Sequence, residues 1–399
     1  MAILEFQDLS FIEEKDRVKV IFLDYYHFYI EKKDLESIAK YKINKNSIEL
    51  DTSEKTANNK FNRILQIGFD NLTNSFGKKT IYVHRNSEIP LFGTNEFGVV
   101  DRNSTCIEVK PMTVCNLNCV YCSVDAGSKS KKSVDFVVEK DYLIQELEKI
   151  TSMKKKPLEV NINPQGEPLM YKPLYELIKD IKALKGINLV TINTNGLLLS
   201  EKSIDKLSEV GLNRINLSLN SLDKTIADEL SGEKYPLEKI KKLVKYCEGK
   251  VDILIAPVIV PGINEDDMSA LVNFAKENKI KIGFQNFLHY SKGRNPGKQT
   301  SMDDFMEKLK VLQKELDYTL IHDAKDFFIE EDTKIAKPFK KNMVVKARIV
   351  SLGKFDNERI AAASNRCITI HCIEPINKEV HVKIVRDKHN IFKGTLTKK

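Results

Sequence analysis

No apolar run in the 399-residue chain approaches the roughly 18 residues of a membrane-spanning helix. The first residues, MAILEFQDLSFIEEKD, lack the charged-then-apolar order of an export leader, so a cytoplasmic protein with no membrane association is expected. Internal repeats and low-complexity tracts are also missing. Cysteine is sparse and odd in number, seven in all, which argues against a disulfide framework. A composition of 42 % hydrophobic and 30 % charged residues excludes a disordered chain, and the length suffices for one large domain with smaller ones attached. Acidic residues are scarce in one place only. Residues 337–399 hold 15 Lys+Arg against 5 Asp+Glu, a net of +10, whereas residues 1–336 hold 49 against 51. The formal charge of +8 thus divides into a near-neutral body and a basic tail.

From Cys106 to Leu316 short apolar runs alternate with amphipathic patterns, the rhythm of repeated βα units on a parallel sheet. Strands are expected at 107–110, 158–163, 189–193, 215–219, 253–260 and 282–287. Helices are expected at 137–150, 174–184, 201–210, 237–247, 265–278 and 303–316. Six units fit an α/β fold with a partial (β/α)6 barrel, over 106–335, better than a complete eight-fold barrel. A doubly wound sheet has the same alternation, and both place reactive groups at the C-terminal ends of the strands. Residues 1–105 read as a small α+β accessory region, with strands at 18–23, 28–31 and 81–84 and a helix near 59–72. Its aromatic run Tyr25, Tyr26, Phe28 and Tyr29 could stack on bases, but a half-buried strand is the plainer reading. Residues 336–399 carry short strand patterns at 343–350, 359–362, 367–373 and 379–385, which suggest an OB-like β-barrel.

Three cysteines crowd into one segment, Cys115-Asn-Leu-Asn-Cys119-Val-Tyr-Cys122. Structural zinc needs a fourth ligand, and the nearest histidines in sequence are His84 and His289. A redox pair of Cys119 and Cys122 would leave Cys115 unexplained. An iron–sulfur cluster fits best, because thiolates hold such clusters and three of them would leave one iron of four open to a small ligand. Cys106 and Cys247 read as core cysteines rather than catalytic thiols. Cys367 and Cys372 would face opposite sides of a continuous strand, so a second cluster there is not expected.

The Cys-x3-Cys-x2-Cys spacing, with Tyr121 before its last cysteine, follows the first strand of the βα series and resembles the cluster loop of radical S-adenosylmethionine enzymes. Downstream, Asn163-Pro164-Gln165-Gly166-Glu167-Pro168 is similar to that family's Gly-Gly-Glu-Pro segment, with Gln165 in place of the first glycine. Thr194-Asn195-Gly196, the polar Ser218 and Asn220, and Pro257–Gly262 follow in the family's order. The resemblance implies a [4Fe-4S] cluster on Cys115, Cys119 and Cys122. It implies S-adenosyl-L-methionine held by Gly166, Glu167, Asn195, Ser218, Asn220 and Val258, and a low-potential electron donor. The protein would fix orientation while the cofactor carries the hard step. No second cysteine triplet precedes residue 106, and no Asp-x-His-x-x-Gly motif points to cobalamin.

The stretches 344–350, 353, 358–361, 367–370, 380–384 and 390–394 resemble a TRAM domain, an RNA-binding barrel found on tRNA-modifying enzymes. A +10 module on a near-neutral body acts as a handle for phosphate. Ser128–Lys132 and Lys292-Gly293-Arg294 could add phosphate contacts at the barrel mouth. Together with Phe97–Arg102, these features look like an archaeal group of radical enzymes that modify a nucleoside in tRNA. The alternatives are a radical enzyme acting on a protein or a small cofactor precursor, and a non-catalytic iron–sulfur RNA-binding regulator.

Overall fold

The computed structural model describes residues 1–327 and 329–397. Phe328, inside the 106–335 segment, and Lys398 and Lys399, which count toward the basic tail, lie outside the described residues. Among the described residues no helix is long and apolar enough to cross a membrane.

A seven-stranded sheet forms the centre. Its order is Lys281–Ile282, Asp252–Ile255, Arg214–Leu217, Ile187–Thr194, Leu158–Ile162, Cys106–Lys110 and Gly98–Asp101. The first six run parallel in chain order, and Gly98–Asp101 lies antiparallel at the edge. That unreversed order separates the fold from a doubly wound sheet, whose strand order turns back at a switch point. Alternation along each strand decides its two faces. Ile107, Val160, Val190, Ile192 and Ile215 share one core with Leu147, Ile178, Ile204 and Ile240 of the helices Lys140–Thr151, Leu174–Ala183, Glu201–Glu209 and Leu237–Tyr246. The intervening positions are polar and bonded across strands. Asn161 Nδ2 and Asn216 Nδ2 both donate to Asn193 Oδ1 (3.0 and 2.7 Å), and Arg214 donates across to Glu159 and along its own strand to Asn216.

Three expectations need correction. Val134–Val138 is a strand, every residue of it buried, and the following helix begins at Lys140 rather than at 137. The strand expected at 253–260 breaks at Ala256-Pro257, since proline has no N–H for the ladder. Its second half, Val258–Ile259, pairs with Gln285–Asn286 outside the main sheet, so the strand expected at 282–287 is split as well. An additional helix, Lys224–Ser231, is capped at its start by Asp223 and ends at Gly232 in the left-handed conformation.

The strand Val134–Val138 runs parallel to Lys79–Val83 and completes a six-stranded sheet with Thr73–Asn74, Tyr26–Glu31, Arg17–Phe22 and Leu9–Glu13. The N-terminal region is therefore stitched to the segment after the cysteines. All of the aromatic run except Tyr25, which sits in the preceding turn, lies in a strand: Tyr26 and Phe28 are buried, and exposed Tyr29 carries the Arg17 guanidinium over its ring. At the other end, Val344–Leu352, Glu358–Ala363, Arg366–His371, Lys393–Leu396 and Glu379–Arg386 close into a five-stranded barrel in that order, with one parallel pair. The barrel docks on the body through Cys367, whose N–H donates to Phe92 O (2.8 Å) and whose Sγ–H donates to Pro90 O (2.9 Å).

Candidate functional site

The cysteine loop leaves the C-terminal end of Cys106–Lys110 and has little regular structure, so its shape depends on outside partners. The Asn118 and Val120 N–H groups donate to Ser231 O and Leu230 O (both 3.0 Å) at the end of Lys224–Ser231. Arg294 donates through Nε to Asp125 Oδ1 (2.8 Å), through Nη1 to Cys119 O (3.0 Å) and through Nη2 to Ala126 O (2.8 Å). Its backbone N–H donates to Cys122 O (2.9 Å). Gly127 sits at φ +101°, where a Cβ would lie 2.1 Å from Leu117 O, so the tight return of the loop requires glycine there.

Cys115, Cys119 and Cys122 line a cavity of about 820 Å³. Gly166, Glu167, Asn195, Ser218, Asn220 and Val258 line the same cavity, although they come from the ends of four different strands. Glu167 is 2 % exposed and has no cationic partner among the described residues. Its Oε1 accepts from Thr194 Oγ1 (2.6 Å) and Leu169 N–H (3.0 Å), and its Oε2 from Asn195 N–H (2.9 Å). Burial pushes this carboxyl up to about 7, against the pull of those three donors. Gly166 packs so closely on the cysteine loop that a Cβ would lie 2.0 Å from Val114 O, and Glu167 N–H donates to that same oxygen (2.8 Å).

Asn195 Nδ2 donates to Asn116 Oδ1 (2.8 Å), and the Asn195 carbonyl accepts from the Tyr235 hydroxyl (2.8 Å). Asn220 Oδ1 accepts from Val258 N–H (2.8 Å), while its Nδ2 donates to the buried Tyr121 hydroxyl (2.6 Å). Tyr121 thereby ties the cysteine loop to the fourth parallel strand's end. Burial raises the Cys119 thiol to about 12 and the Cys115 thiol further, so metal entry must displace protons from both. The same cavity lining includes the apolar side chains Phe284, Phe287, Met302, Phe305, Met306 and Leu309, with Gln285 and Asn286 between the first two.

The donor set fits a thiolate-bound cluster with a small polar ligand beside it. Three thiols face one cavity, Glu167 is a buried carboxylate without a cation, and Asn116 Nδ2 is buried without an acceptor. Among the described residues, no three His, Cys, Asp or Glu side chains are gathered as a single ion requires. A cube instead takes each thiolate on a separate iron.

Other expected contacts are placed differently. Arg294 is committed to the cysteine loop, and Lys292 pairs with Glu358 of the C-terminal barrel. Lys132 is buried, donating to Thr113 O (3.3 Å) near Asp135, whereas Lys129 and Lys131 are exposed. The cavity wall does not include Cys106 or Cys247. Sequence reasoning missed Tyr235, the anchoring role of Arg294 and the whole apolar wall. The only trace of Tyr235 or Arg294 in the sequence was position near a loop, and ordinary helix periodicity concealed Met302, Phe305 and Met306.

Residues 109–275 match the model of the radical SAM superfamily. An uncharacterized protein of Methanocaldococcus jannaschii is 35 % identical over 354 residues, covering 80 % of this chain and 81 % of its own length. The GTP 3′,8-cyclase of Staphylococcus carnosus is 31 % identical over 215 residues, 51 % of this chain, and the match spans 59 % of the cyclase. Among solved structures, Streptococcus suis SuiB bound to S-adenosylmethionine aligns with a TM-score of 0.43 at 18 % identity, over 78 % of this chain and 70 % of SuiB.

Proposed function

The chain belongs to the radical SAM superfamily, and from that premise we propose that it is a radical enzyme that modifies a nucleoside in tRNA. In this reading Cys115, Cys119 and Cys122 hold a [4Fe-4S] cluster, and S-adenosyl-L-methionine occupies the neighbouring part of the cavity. When bound, these cofactors supply an electron and a 5′-deoxyadenosyl radical that removes a substrate hydrogen.

The chain's own groups perform the rest. Glu167, its carboxylate oxygens oriented by three donors, loses its proton and receives the methionine ammonium. Asn195 and Ser218 offer polar groups to the carboxylate and ribose. Asn220 keeps Val258 N–H engaged, so that the backbone beside it forms a flat seat for adenine. The ends of the parallel strands carry these groups, and the apolar side chains between Phe284 and Leu309 keep water from the reacting carbon. Glu167 without a counter-cation, beside three thiols in one cavity, is the observation that carries this reading.

The RNA target rests on the C-terminal barrel, read as TRAM-like, and on its net charge. It is a closed five-stranded barrel, the architecture of small folds that bind oligonucleotides. A second reading, a small purine nucleotide or cofactor precursor as substrate, draws on the cyclase relatives and leaves the basic barrel without a task. Nucleoside mass spectrometry of tRNA from a deletion strain separates the two: one modified nucleoside disappears under the first reading, and the profile is unchanged under the second.

A further inference from the structure

The barrel does more than sit beside the site. Its hairpin between Val344–Leu352 and Glu358–Ala363 points into the body and sends Lys354 inward, where that side chain is 4 % exposed. Lys354 Nζ donates to Gln165 Oε1 (2.9 Å) and lies 3.2 Å from Glu96 Oε2. The Lys354 carbonyl accepts from Ser133 N–H (3.0 Å), at the end of the cysteine loop. Gln165 is itself 4 % exposed, and its Nε2 donates to Asn95 O (2.7 Å). Both ends of its amide are therefore occupied.

Gln165 directly precedes Gly166 and Glu167, and these cannot shift freely, because Gly166 is wedged against Val114 O and Glu167 N–H is bonded to it. The same hairpin touches the other anchoring loop: buried Glu358 pairs with Lys292, two residues before Arg294, and the Phe355 ring lies under the Lys292 ammonium (4.7 Å). One turn of the barrel thus braces both segments that frame the cysteines. A lysine so buried and doubly engaged has no charge left over for RNA phosphate.

We propose that Lys354 is a positioning residue for the cofactor site: through Gln165 it fixes the segment that carries Glu167, so the C-terminal barrel is a structural part of the S-adenosylmethionine pocket. The proposal rests on the functional reading above for its ligand, but the brace itself belongs to the chain alone.

The test uses the full chain with Lys354→Met, which keeps an apolar stem of similar length, Lys354→Arg, and Gln165→Gly. Amide hydrogen exchange is measured first, without cofactor. In Lys354→Met the amides of residues 165–167 should exchange about tenfold faster, with barrel amides such as Ile370 unchanged. After anaerobic reconstitution, Lys354→Met should bind S-adenosylmethionine about tenfold more weakly at wild-type iron content, a loss on the scale of one charged hydrogen bond. Lys354→Arg should recover most of that loss, and in a Gln165→Gly background Lys354→Met should add little. Unchanged exchange at 165–167 overturns the proposal. So does unchanged cofactor affinity in Lys354→Met accompanied by weaker RNA binding, which would return Lys354 to the RNA face. A wild-type protein that binds no S-adenosylmethionine contradicts the functional reading instead, and the exchange comparison then decides the brace. Should Lys354→Met misfold, Gln165→Met, which removes the acceptor of the Lys354 ammonium, takes its place: faster exchange at Gly166 and Glu167 supports the brace and unchanged exchange there overturns it.

Discussion

The two walls of the cavity differ in kind. One is polar and bonded throughout: the cysteine loop, Glu167, Asn195 and Asn220 are linked to one another by Thr194, Asn116, Tyr121 and Val258. The other carries the apolar side chains Phe284, Phe287, Met302, Phe305, Met306 and Leu309, with Gln285 and Asn286 as polar residues among them. A wall that must hold a fixed cofactor needs particular donors and acceptors at particular places. A wall that faces a variable substrate needs only shape and dryness.

Substitutions on the bonded wall should therefore cost most. Cys119→Ala should remove the cluster altogether, seen as loss of iron and of its charge-transfer absorption. Glu167→Gln should weaken S-adenosylmethionine binding at least about tenfold, the worth of a charge-assisted hydrogen bond, in equilibrium dialysis of the reconstituted protein. The pH dependence follows from the same group. In the ligand-free protein the Glu167 carboxyl is raised to about 7, so below that pH a proton must leave before an ammonium can pair with it. Affinity should rise with pH, by about tenfold per unit below neutrality, and level off above about 7; Glu167→Gln should flatten the profile.

Arg294→Ala should loosen the cysteine loop and raise the rate of iron loss under air several-fold, about the effect of losing two or three hydrogen bonds at a partly exposed site. Met306→Ala on the apolar wall should leave cofactor affinity within about twofold and change substrate KM by about threefold. An Met306 variant that lost its cofactor would erase the distinction between the walls.

The same contrast explains what was legible in the sequence. Cysteine spacing, Gly166-Glu167 and Asn195-Gly196 stand out because cofactor chemistry and tight turns restrict residue type. The parallel strands were legible because apolar residues alternate with polar ones, and pairs such as Ile107 and Val109 or Val190 and Ile192 are buried on a single core. Val134–Val138 was not, because five buried residues without alternation merge into the helix pattern that follows. Lys292 and Arg294 read as phosphate contacts because sequence shows a charge but not its partner, and Glu358 and Cys119 O lie 66 and 175 residues away. Gln165, which departs from the family's glycine, acquires a reason only once Lys354 is seen beside it.

The central claim is that this cavity generates a radical from S-adenosylmethionine. The direct measurement is 5′-deoxyadenosine formed by the anaerobically reconstituted full chain with dithionite. Wild type should form it and Cys119→Ala should not; equal amounts from both, or none from a wild-type protein carrying a full cluster, would contradict the account.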